Sequence, residues 1–346
     1  MKKCLLLFAW LCVAAAQAAA PAQLLDDREI TVRSVFDVGA KRQALIKYIW
    51  GADGFPARRL PDIVVTNVPS PVKMLADLAR VDEFRLNMAP GLQGLAYHFI
   101  AQHPNRELVV LHHGHGCTFD DDPGPKDVGF GLQRTIAALL REGYGVLAVF
   151  MPHKRPGDCT GGHDAMFQMT NVVGSPIRFF LEPTATGLNY LRKQYRAFHM
   201  AGLSGGGWTT TVYAAIDPRI QYSFPVAGSI PLYLRRGGSV GDREQFESTF
   251  YAIAGYPDLY VLGAHGKGRK QIQILVRHDN CCFGERQHDE KAIGKPYAEA
   301  MREYERRVRN VVGNFRLVID EVGPSHMISH HAIEDVILPE LQSVRR

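Results

Sequence analysis

The 346-residue chain lacks most of the marks that would settle its class at once. It has no dense run of Lys or Arg, and 40 basic against 35 acidic residues leave a formal charge of only +5. A charge so small and so evenly spread excludes a nucleic-acid-binding footprint. Neither a C-x-x-C pair nor an H-E-x-x-H occurs, so the familiar sequence frames for a bound zinc ion are absent. Repeats of fixed period and low-complexity tracts are also missing, which excludes a solenoid or a disordered array. Beyond the first twenty residues no stretch is apolar enough to cross a bilayer. What is there, 46% hydrophobic and 22% charged residues, is ordinary for a globular chain of one large or two modest domains.

The first twenty residues differ in kind. Lys2 and Lys3 form a basic head, Leu5 to Ala16 an apolar run, and Ala16-Gln17-Ala18 an A-x-A site. About twelve apolar residues are too few to span a membrane, so 1–20 read as a cleavable signal and the protein as secreted or periplasmic. Ala9-Trp10-Leu11 precedes Cys12 and puts a large residue where a lipoprotein signal calls for a small one. After cleavage Cys117, Cys159, Cys281 and Cys282 remain, an even count in an oxidising compartment.

Residues 21–80 read as an irregular N-terminal extension. Arg33 to Trp50 mixes a short strand with a helical stretch, and Pro56, Pro61, Pro69 and Pro71 break the chain beyond Trp50 into turns. From Val81 onward short apolar strands alternate with helical patterns. Strands are expected at Val81–Leu86, Leu95–Ile100, Leu108–Leu111, Tyr144–Phe150, Phe198–Gly202, Ile220–Val226, Ile272–Val276 and Phe315–Ile319. Helices are expected around Leu132–Leu140, at Trp208–Ile216 and from Tyr297 to Val311, with another interrupted at Pro183. Continuous apolar strands alternating with helices predict one α/β domain over 81–346, a mainly parallel sheet covered on both faces. The aromatic and Gly-bearing stretch 228–263 is expected to be an inserted lid.

Chemistry concentrates at Gly202-Leu203-Ser204-Gly205-Gly206-Gly207, which lies between an apolar strand and a helix. A strand-to-helix turn this tight exposes its middle hydroxyl and leaves no space for side chains two residues to either side. A phosphate loop would carry Lys after the glycines, and Trp208 stands there instead. Here the chain resembles the α/β-hydrolase superfamily, over most of its length from Val81. The resemblance implies the α/β-hydrolase fold, a nucleophile after the fifth strand, and the order Ser, acid, His along the chain. On that pattern Ser204 is the nucleophile, and His326 after the last strand is the base, ahead of His330 and His331. Asp279 after strand Ile272–Val276 orients the histidine, ahead of Glu285 and Asp289. The Gly205 amide should hold the oxyanion. Its partner is the amide of His115, in His113-Gly114-His115-Gly116, where the family frequently has Gly. His163, after the fourth strand, and Trp208 are expected at the site rim. The implied strand order makes the third and fourth strands neighbours, so Cys117 should pair with Cys159. Cys281 and Cys282 would then be bonded to each other or left as thiols.

His112, His113 and His115, with Asp120, Asp121 and Asp122 behind them, invite a metal reading. Adjacent residues of an extended segment point to opposite faces, so His112 and His113 do not share an ion, and no metal or cofactor is expected. The resemblance implies acyl transfer on a small or polymeric carboxylic ester. A peptidase of prolyl-oligopeptidase type and a non-catalytic binding protein are the competing readings.

Overall fold

The computed structural model describes residues 24–73, 75–119, 129–159, 161–235, 240–287 and 293–343. The signal segment 1–20, Asp120, Asp121, Asp122 and Asp289 lie outside them. Nine strands form one sheet: β1 (Ile63–Val68), β2 (Leu78–Ala89), β3 (Leu92–Ala101), β4 (Glu107–His112), β5 (Gly145–Val149), β6 (Ala197–Leu203), β7 (Ile220–Val226), β8 (Lys270–Val276) and β9 (Phe315–Asp320). Their order is β1-β2-β3-β5-β4-β6-β7-β8-β9. The first three strands and the β3–β5 pair are antiparallel, and every pair from β5 to β9 is parallel.

Alternation along the central strands divides the core in two. Leu108 and Val110 of β4 face a layer built on helices α1 (Val35–Trp50), α4 (Arg178–Leu191), α5 (Gly205–Ile216) and α7 (Tyr256–Ala264). Val109 and Leu111 face the other layer, which holds α2 (Leu132–Arg141) and the closing helix, π-wound at Ala332–Ile337 and α-wound at Leu338–Ser343. Because both faces are covered, β4 is buried from end to end. Parallel strands joined through helices bring the loops after β4, β5, β6, β8 and β9 to the same carboxyl edge.

Four expectations are corrected. The extension is not irregular: Val35–Trp50 is one helix, capped at Ser34, whose side chain accepts from the Asp37 amide. Val38, Leu45 and Ile49 are among its buried residues, and the β-branched Val35 and Val38 of its first turn account for the strand-like signal. Strand β1 adds an edge ahead of the expected set, so the Gly202–Gly207 turn follows the sixth strand of this chain rather than the fifth. Helix α4 runs through Pro183 unbroken, with the proline ring seated against β3 at Gly94, where a Cβ would stand 2.7 Å from it.

The expected lid is the fourth correction. Its second half, α7, is buried along its whole length and packs on α5 and β8 as a crossover helix. Asp258 within it accepts from the Thr31 and Val32 amides, at 2.7 and 3.0 Å, and so anchors the N-terminal segment. Only the stretch up to α6 (Ser248–Ile253) reaches the carboxyl edge, through Gly241, Asp242 and Gln245. The helix Asp164–Phe167, α3, and the long helix Tyr297–Val311, here α8, complete the set. Among the described residues no helix is long and apolar enough to cross a membrane.

Candidate active site

Ser204 sits between β6 and α5 with φ 59° and ψ −125°, a left-handed backbone conformation in a residue other than Gly. Its amide donates to the Val226 carbonyl at 3.0 Å, and its carbonyl accepts from Trp208 at 2.9 Å, so both neighbouring elements hold the strained turn. A Cβ on Gly202 would collide with the Gly206 carbonyl, and one on Gly206 with the carbonyl of His112. Glycine at both places is therefore steric necessity.

His326 lies in the loop after β9. Asp320, fully buried at the strand end, shapes that loop by accepting from the Val322 and Gly323 amides and from the Ser329 hydroxyl. The Nδ1 atom of His326 meets Asp279 Oδ2 at 3.0 Å. Its Nε2 atom is buried with no hydrogen-bond partner among the described residues. Asp279 is itself buried, and its Oδ1 accepts from the amides of Cys281 (2.8 Å) and Cys282 (3.1 Å). Burial alone would raise the Asp279 pKa. The hydrogen bond and charge of His326, with the two amides, outweigh it and hold the pKa below the ordinary aspartate value.

Ser204 and His326 line one cavity of about 510 Å³, together with His113, His115, Phe130, Leu203, Asp242, Gln245, the two neighbouring cysteines and Phe283. The His115 ring lies beside the turn: its Cε1 is 2.7 Å from where a Cβ on Gly205 would stand. Its Nε2 reaches Asp242 Oδ2 at 2.7 Å. Of the competitors, His330 is exposed, His331 pairs with Asp335 on the closing helix, and Glu285 pairs with Arg277.

The two expected rim residues lie elsewhere. Trp208 is fully buried one turn into α5, with its Nε1 donating to Tyr251 Oη at 2.7 Å and its ring edge-on to Phe180. Helix α5 dives into the core at once, so its second turn is already lost to the cavity. His163 is buried behind His115, with ring centroids 5.1 Å apart, and its Nδ1 is 3.0 Å from Glu244 Oε1. Burial opposes charge on His163, but Glu244 and then Asp242 hold its pKa above the ordinary histidine value. Sequence reasoning missed Asp320, Asp242 and Glu244. Only Asp320 had a local signal, an acid closing a strand just before a turn-rich loop.

Cys117 and Cys159 are bonded, with Cα atoms 5.8 Å apart, and tie the loop after β4 to the loop after β5. Cys281 and Cys282 are bonded to each other at the cavity wall.

No protein-family profile matches the chain, and no curated protein matches its sequence. Solved structures do resemble it. Methylesterase BT1017 aligns with TM-score 0.55 and 14% identity over 89% of this chain and 63% of its own. Acetyl xylan esterase 1 from Thermoanaerobacterium sp. JW/SL YS485 aligns with TM-score 0.52 and 12% identity, covering 90% and 94%. An acetyl xylan esterase from Paenibacillus sp. R4 gives 0.51 and 13%, covering 91% and 96%. Identities this low carry no more than architecture, and with the strand order and the turn after β6 they make the architecture plain: the chain has the α/β-hydrolase fold.

Proposed function

We propose that the protein is a serine hydrolase that cleaves carboxylic esters through an acyl-enzyme. The observation that carries the reading is the left-handed Ser204 turn opening on the same cavity as a buried His326 whose far nitrogen is held by Asp279. Ser204 Oγ adds to the ester carbonyl while His326 Nε2 takes its proton. Asp279 fixes the tautomer that leaves Nε2 free and stabilises the imidazolium that forms. The Gly205 and His115 amides receive the developing oxyanion. Collapse expels the alcohol, which takes the proton from His326, and a water activated by the same nitrogen then releases the acid. The esterase names of the three resembling structures agree with this choice of bond. The Cys117–Cys159 bond supports the exported location that residues 1–20 suggest.

A fluorophosphonate probe followed by turnover of aryl esters of graded chain length and of aminoacyl amides tests the proposal. Labelling and ester turnover should both vanish in Ser204→Ala, with kcat falling by several orders of magnitude and the melting temperature unchanged. Labelling with turnover of amides but of no ester would identify a peptidase. A wild-type protein that takes no label would be a binding protein.

A further inference from the structure

The loop after β4, the loop after β5 and the insertion before α6 bring His115, His163, Asp242 and Glu244 together at one wall of the cavity. One ligand atom from each lies within 4.8 Å of the other three. Two contacts are close, His115 Nε2 to Asp242 Oδ2 at 2.7 Å and His163 Nδ1 to Glu244 Oε1 at 3.0 Å, and His115 Nε2 to Glu244 Oε1 is 4.0 Å. A tetrahedral ion with bonds near 2.0–2.2 Å sets its ligand atoms about 3.4 Å apart, within the spread seen here.

We propose that these four residues form a binding site for one divalent transition-metal ion of the zinc type. Three observations support it beyond proximity. Glu244 is fully buried, and its Oε2 has no hydrogen-bond partner among the described residues, a costly state that an ion would relieve. The Nε2 of His163 is 3.3 Å from the Pro152 carbonyl. A proton there donates to that carbonyl and leaves the Nδ1 lone pair turned toward Glu244, the kind of orientation that outer partners give a ligating histidine. Charge is the third. Buried Glu244 and half-exposed Asp242 set two carboxylates around one point, and a single dication held between them would balance both.

Two imidazoles with two carboxylates suit zinc and its neighbours and disfavour calcium and magnesium, which prefer oxygen alone. Asp242 and His115 line the cavity, so the ion has a path from solvent. The ion would join three loops, two of them already tied by Cys117–Cys159, and would fix the chain around the His115 amide. The inference does not depend on the ester chemistry.

The test uses the oxidised full-length protein, stripped with a chelator, desalted and titrated with zinc chloride at pH 7.5 by calorimetry. Elemental analysis comes after a second desalting. One equivalent should be retained, undisplaced by millimolar calcium or magnesium. Cobalt in its place should give the strong visible absorption of a four-coordinate ion. Asp242→Asn, at a half-exposed position that does not endanger folding, and the isosteric Glu244→Gln should each weaken zinc binding by at least about 10-fold. Absence of retained zinc in the wild type would overturn the proposal. So would zinc retained undiminished by both variants, which would place the ion elsewhere.

Discussion

Replacing Asp279 with Asn keeps the shape of the side chain and changes one of its two oxygens into a donor. The surroundings decide which one. Oδ1 accepts from two amides, Cys281 at 2.8 Å and Cys282 at 3.1 Å. Turning the new NH2 toward them would oppose two donors with a third and leave both amides unsatisfied, at about 1–3 kcal/mol each. The amide oxygen therefore stays there, and the NH2 takes the place of Oδ2, 3.0 Å from His326 Nδ1. It donates to that nitrogen, which drives the ring proton to Nε2, and a protonated Nε2 cannot accept from Ser204. A wrong tautomer of this kind costs on the order of 10⁴ in kcat/KM, about 5 kcal/mol of transition-state stabilisation. The assay is single-turnover hydrolysis of an aryl ester under chemistry-limited conditions, with a thermal melt to show that the variant is folded. Asp289→Asn, in the same connection, serves as the control and should remain near wild type. A loss below tenfold in folded Asp279→Asn would refute the role, and the reverse pattern would move the acid to position 289.

Packing, burial and cross-linking give three more expected outcomes. Trp208→Ala should cost about 3–5 kcal/mol of stability while turnover per folded molecule stays within a few-fold. A raised KM at unchanged melting temperature would instead return Trp208 to the rim. Burial pushes His98 and His112 down to about 4, so the unfolded chain takes up protons below about pH 6.5 that the native protein refuses. Stability is therefore full above that pH and falls as pH drops from about 6.5 to 4, by on the order of 3 kcal/mol for His98, and His98→Gln should flatten that slope in urea melts. Removing the bond between Cys117 and Cys159, 42 residues apart, with the double Ala variant should lower stability by up to about 4 kcal/mol on the chain-entropy reckoning. An unchanged denaturation midpoint would mean that the bond does not form in the exported protein.

The sequence was most legible where burial is one-sided or complete in a short segment. The strands from β2 to β9 fall where the apolar runs placed them, and α8 shows its buried stripe at Tyr297, Met301, Tyr304 and Val308. The Ser204 turn could be read because sterics dictate its glycines. Helix α7 was misread for the opposite reason. Enclosed on all sides, it has no polar face and hence no helical period, and its Tyr256 and Tyr260 passed for loop aromatics. The four residues of the histidine and carboxylate cluster were invisible as a set, because three separate loops supply them and only tertiary structure brings them together. Trp208 was misplaced through a geometric oversight: one helical turn beyond the exposed serine already lies beneath the surface.

The division of labour around the cavity bears on how such a protein could be re-engineered. The groups assigned to bond cleavage sit at strand ends that the sheet fixes in place. Gly241, Asp242 and Gln245 come instead from the chain between β7 and α6, which adds no strand to the sheet. That segment is in effect a cassette. Its exchange between proteins of this architecture would recast the shape of what is admitted while leaving the cleaving apparatus intact, provided the graft keeps Asp242 and Glu244 beside His115 and His163 and the Tyr233 amide bonded to Asp27.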